Sequence, residues 1–184
     1  MPPELASQGV AFMLTFVYGS FFEWTLHRYF MHHRQKLVPF PFDLHALVHH
    51  RLFGPEETFH AKDEEMLQHV TFVPRDYLIL LLINLPVFLG IEWLVGLPIA
   101  LGASIAVLVY LGAFDTLHWM FHVPQARFIE KARVFVWLKS HHRLHHRYHT
   151  RNLNVVLPLA DWVLRTRIGS RTARAEASPT KETP

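Results

Sequence analysis

The chain has no cysteine. That excludes disulfides, thiolate metal ligands and a nucleophilic thiol, and it fits a reducing compartment. Positive charge is missing from two long stretches: no Lys or Arg precedes Arg28, and none lies between Asp76 and Pro124. Charge of either sign is almost missing from three apolar runs. Residues 6–22 carry none, residues 77–97 carry only Glu92, and residues 98–117 carry only Asp115. No alternation of basic and aromatic residues favours nucleic acid, so nucleic acid is not an expected partner.

A helix of about 20 residues crosses a hydrocarbon core of roughly 30 Å. The second and third runs are long enough, and flanking residues from Glu4 to Leu26 extend the first. The chain is therefore expected to be an integral, multi-pass membrane protein. The expected fold is all-α: a polytopic bundle of three to four spans with a histidine-rich helical cap. The 18 Lys and Arg fall in two blocks, six between Arg28 and Arg75 and twelve from Arg127 onward. If each run crosses once, both blocks share a side, which the positive-inside rule makes cytoplasmic. The pI near 9.4 then reflects topology and contact with anionic lipid. The first run lacks the basic start and cleavage site of a secretory signal and reads as an uncleaved span. Residues 1–168 are expected to form one membrane-embedded domain, and the polar residues 169–184 a disordered tail.

Histidine is what the chain has in excess. There are fifteen, and twelve fall in four clusters: His27-x4-His32-His33, His45-x3-His49-His50, His118-x3-His122 and His141-His142-x2-His145-His146. The same topology puts all of them on the cytoplasmic side. Neutral imidazole suits iron, zinc, copper and nickel. Clusters drawn from separated parts of a small chain predict a centre of at least two metals. On a helix of 3.6 residues per turn, His27 and His32 lie about 140° apart and flank a face. By the same arithmetic His45 and His49 are neighbours, with His50 turned away by about 100°. His142, His145, His146 and His149 follow one stripe, and His149 can instead bond to a ligand histidine. His33 is expected to support a ligand or lie exposed, and His60 and His69 to lie at the surface. Asp115 and Asp161 are the carboxylates best placed to orient an imidazole. Asp43 is expected to cap a short helix that Gly54-Pro55 ends.

In this ordered set the sequence resembles the fatty acid hydroxylase / sterol desaturase superfamily of membrane non-haem iron enzymes. Residues 151–166 (RNLNVVLPLADWVLRT) are similar to the Asn-rich stretch and Asp-Trp that close family members. The resemblance implies that His27, His32, His45, His49, His50, His118, His122, His142, His145 and His146 hold two metals. It adds Asn152 to the residues expected to support them. It implies two iron ions, with zinc as a possible substitute, and O2 as co-substrate. Electrons would come from cytochrome b5, ferredoxin or a reductase. The outcome would be hydroxylation or desaturation of a fatty acyl chain, sterol or related lipid. The second cluster has three residues between its first two histidines where two is commoner, so His45 is the ligand to check. HRYFMHH is also similar to the related β-carotene hydroxylases, which adds a carotenoid alternative. Outside enzymes, a metal transporter or a metal-binding scaffold is the competing expectation.

Overall fold

The structure, a computed structural model, describes residues 2–169. Residues 170–184, nearly all of the expected tail, lie outside the described residues. Every regular element described is helical. In chain order these are α1 (Pro3–Leu26), a π turn (His27–Met31), α2 (Phe40–Leu44), a second π turn (His45–His49) and α3 (His50–Leu52). Then come α4 (Glu64–Leu67), α5 (Pro74–Val95), α6 (Ala100–His122), a 3-10 turn (Phe128–Lys131), α7 (Arg133–Arg147) and α8 (Leu159–Val163).

Three helical segments are long and apolar enough to cross a membrane: Pro3–Met31, Pro74–Val95 and Ala100–His122. Half-burial marks α6 as the central post. In its apolar window 50% of residues are buried, against 17% for each of the others. The sequence explains the tight pairing of α1 with α6. Ala11, Thr15 and Gly19 put small side chains at four-residue spacing on α1, facing the Gly102–Ala106–Tyr110 stripe of α6. Without large side chains between them the backbones approach closely. At Gly19 an added Cβ would stand 2.6 Å from the Tyr110 ring, so no larger residue fits. The two helices run parallel: Ser7 donates to the Pro98 carbonyl near their starts, and Glu23 accepts from Tyr110 near the other end.

α5 runs antiparallel to α6 and packs against it. Its turn into α6 uses Gly96 at φ 66°, a left-handed position that glycine occupies without strain. Glu92, the lone charge of the second apolar run, accepts from the Ile99 and Ala100 N–H groups at 2.8 and 2.7 Å. It satisfies two of the four orphan donors at the start of α6. These connections bring the end of α1, the start of α5 and the end of α6 to one side.

The short helices assemble over that end. Phe59, Phe121, Phe135, Leu138 and Val155 pack as one apolar cluster, and Phe53, Met66 and Val70 as another. A fully buried Phe contributes about 2–3 kcal/mol, so the clusters make a firm floor for the side chains above. Asp43 does not cap α2. It lies inside that helix and pairs with the Arg34 guanidinium at 3.0 and 3.2 Å, because Pro39 and Pro41 start the helix without needing a side-chain acceptor.

Candidate metal centre

The two π turns set the geometry. A π turn bonds i to i+5, one residue more than an α turn. The His32 N–H accordingly donates to the His27 carbonyl at 3.1 Å, and the two rings stack with centroids 5.1 Å apart. The 140° separation expected from 3.6 residues per turn does not occur. In the second turn the same rule pairs His45 with His50, whose Nε2 atoms are 3.0 Å apart, and leaves the His49 Nε2 to face His146 at 3.3 Å. The expected neighbours, His45 and His49, do stack, with centroids 5.2 Å apart, but their nitrogens serve different groups, and the spacing noted at His45 does not remove it from the assembly.

Ten imidazoles gather in two groups of five. Group one is His27, His32, His45, His50 and His145; group two is His49, His118, His122, His142 and His146. Within each group one ring nitrogen per residue lies within 4.8 Å of all the others. The α helices supply group two by four-residue spacing, from His118 and His122 on α6 and His142 and His146 on α7. His145, turned away from that pair, joins group one. The groups adjoin: the rings of His50 and His146 are 4.4 Å apart between centroids.

Backbone carbonyls orient the rings. Nδ1 of His27 bonds the Leu153 carbonyl, and that of His145 the Arg151 carbonyl at 2.9 Å. In group two, Nδ1 of His49, His118, His122 and His146 bonds the carbonyls of His69, Val70, Phe59 and Phe53. A carbonyl only accepts, so each Nδ1 carries the proton and each Nε2 of a neutral ring presents a bare lone pair. His49 and His146 both have this tautomer, yet their Nε2 atoms face each other at 3.3 Å. Two lone pairs at that distance repel unless a cation lies between or beside them. His118 Nε2 is buried with no hydrogen-bond partner among the described residues. A metal ion in group two satisfies both observations, so the residues fit the metals they imply.

Electrostatics agree. Burial pushes His32 down to about 3, with the neighbouring His149 and His33 adding to it. Burial also pushes His146 to about 3, against the opposing pull of its Phe53 carbonyl bond. Burial and then mutual repulsion hold His45, His49, His50, His142 and His145 well below the ordinary 6.5. The rings stay neutral, the form that binds metal. Among the described residues no carboxylate joins either group.

The supporting residues divide differently from expectation. Asp161 bonds an imidazole, but that of His141, at 3.0 Å. It also accepts from the Leu153 and Asn154 N–H groups and the Thr166 hydroxyl, so it braces the strap that carries the carbonyls behind His27 and His145. Asn152, at φ 52°, closes the same strap by bonding the His141 and Ile168 backbones. Asp115 does not reach His118. It accepts from the Phe72 N–H and the Tyr77 hydroxyl, fixing the loop that presents the Val70 carbonyl. His149 lies beyond the end of α7, where its Nε2 bonds the His146 carbonyl, and not a ligand ring. His33 and His60 are exposed, and His69 contributes its carbonyl.

Sequence reasoning missed Glu23. It is buried four residues before His27 and accepts from the Tyr110 hydroxyl, the Asn154 side chain and the Val155 N–H. An acid one helical turn before a histidine, at the edge of an apolar run, was the available signal. Comparison with family models, curated proteins and solved structures returns no match for this chain.

Proposed function

We propose that the chain is a membrane-embedded, O2-dependent oxidoreductase that hydroxylates or desaturates a lipid, with one iron in each histidine group. The observation that carries this reading is the pair of five-imidazole groups with bare, inward nitrogens. Five donors per group exceed the four of a tetrahedral zinc site and suit a metal of higher coordination number. Bound there, the irons would supply the O2 activation that an inert C–H bond requires. The ordered spacing of the clusters, similar to that of the fatty acid hydroxylase / sterol desaturase superfamily, supports the same choice.

A small apolar cavity of about 30 Å³ lies beside group one and marks an apolar approach to it. Phe22, Leu26 and Met31 line one wall, and Phe72, Leu111 and Phe114 the other. His27 closes one part of it, so an apolar chain approaching there would lie against group one. The hydroxyl of Tyr18 ties α1 to Asn84 of α5 at 2.9 Å, bridging the two helices that flank the cavity. Hydroxylation takes one O2, two electrons and two protons, and yields the alcohol and one water. Desaturation takes the same and yields two waters. The electrons come from a cytochrome b5, a ferredoxin or a reductase, and exposed Arg51, Arg133, Arg143 and Arg147 suit an acidic docking face. The distribution of Lys and Arg supports a cytoplasmic side for this end.

The test is lipid mass spectrometry on a deletion strain, its parent and a His145→Ala strain. A product richer by one oxygen, or poorer by two hydrogens, must vanish in both altered strains. An unchanged lipid profile, with normal protein level, overturns the enzymatic reading. Two metals bound per chain without lipid-dependent O2 uptake would favour a transporter or scaffold.

A further inference from the structure

We infer that the segment around α8 dips into the hydrocarbon of the leaflet on the histidine side and forms a lipid-facing surface beyond the three spans. The inference rests on α1 crossing the bilayer and is independent of the chemistry at the metal groups. Depth is read from α1. Ser20 lies seven residues before His27, about 10 Å along a helix. Its hydroxyl donates to the Leu157 carbonyl and accepts from the Ala160 N–H at 3.0 Å, while its carbonyl accepts from the Asn154 side chain at 2.7 Å. The start of α8 is thus pinned at the depth of Ser20, inside the apolar run of α1.

At that depth α8 turns its polar and small residues inward and its large apolar residues outward. Ala160 and Asp161 are fully buried, whereas Trp162 is 60% exposed, Val163 58% and Leu164 43%. In water this would be an unexplained apolar patch; beside a spanning helix it continues that helix's lipid-facing surface. The chain then rises. Thr166 accepts from the Trp24 indole N–H at 2.9 Å, one turn nearer the histidines than Ser20. Arg165 and Arg167, exposed on either side of Thr166, appear where headgroups belong, and Arg167 lies over the Trp162 ring at 4.7 Å. On α1 itself Arg28 stacks on Trp24 at 5.2 Å, marking the same level. Aromatic rings below and guanidinium groups above match the two layers of a membrane interface. The fitting partner is the acyl region of one leaflet together with its anionic headgroups.

Spin labels test this, since a chain without cysteine accepts single labels cleanly. The full protein is reconstituted in phosphatidylcholine–phosphatidylglycerol vesicles, and Val163→Cys, Leu14→Cys and Thr150→Cys are labelled in turn. Collision with dissolved oxygen, which partitions into hydrocarbon, is compared with collision with a water-soluble nickel chelate. Unchanged metal content shows that each variant is folded. Position 163 should match the oxygen-rich ratio of position 14 and differ from the exposed loop at 150. A water-like ratio at 163 beside a lipid-like ratio at 14 overturns the inference. A water-like ratio at 14 removes the spanning reading and this inference with it, leaving the metal groups untouched.

Discussion

The two histidine groups use the same donor atoms but are built to different standards. In group two all five residues are buried, and four carbonyl bonds fix their Nδ1 atoms. In group one three of the five are only partly buried, and two such bonds are present among the described residues. Group two draws mainly on α6 and α7, straight helices set on the aromatic floor. Group one draws on the two π turns and on His145 of α7, with a strap behind His27 and His145. A site made by regular helices is rigid because its neighbours are already packed. One made by local exceptions depends on what braces them, here Asp161 and Asn152.

The contrast can be broken most severely inside group two. His122→Ala should remove its metal and destabilise the fold by about 3 kcal/mol, as truncation of a packed buried ring does. His32→Ala should remove only the group-one metal, with a change near or below 1 kcal/mol. Metal analysis alongside thermal unfolding distinguishes the two; equal loss of stability would erase the asymmetry.

Acid acts next. Folding holds the pKa of His32 and His146 near 3, below the ordinary 6.5. The unfolded chain therefore binds protons that the folded chain refuses. The metal-free protein should keep its full stability above about pH 6.5 and lose it as the pH falls from there toward 3. Each such proton contributes about 1.4 kcal/mol per pH unit. Denaturant titrations at pH 7.5 and 5.5 check the sign, and stability that rose on acidification would refute it.

Chelation should then separate the groups kinetically. One metal equivalent, from the partly exposed group one, should leave well before the second, so a single-phase release would count against the division. The smallest effects are indirect. Asp161→Asn should weaken group-one metal binding by about 10- to 100-fold, and Asp115→Asn should do the same at group two. Competition against a metal-binding dye in each variant shows whether each brace serves its own group.

Much of this was legible in the sequence, for physical reasons. Hydropathy marks spans because residues facing lipid and residues facing a packed interior are both apolar. The clusters mark side chains that gather into groups able to hold metal, because histidine is rare and the spacing is periodic. The division of the ten rings was not legible, since angles computed at 3.6 residues per turn fail wherever the turn is π, as between His27 and His32. Nor were the roles of Asp115 and Asp161. Each acts on a loop whose carbonyl holds the ring, and sequence spacing carries no sign of an intermediary. Glu23 escaped notice because its partners, Tyr110 and Asn154, are more than 80 residues away.

The wide turn at His45–His49 also changes what an in-frame deletion would do. Removing Ala46 would leave a stretch that an ordinary α turn can hold, with the former His45 and His50 still adjacent at four-residue spacing. A lesion that ruins most helices should here be absorbed with both metals retained. Removing Arg143, inside the regular α7, has no such slack and should scatter His145 and His146 from their groups.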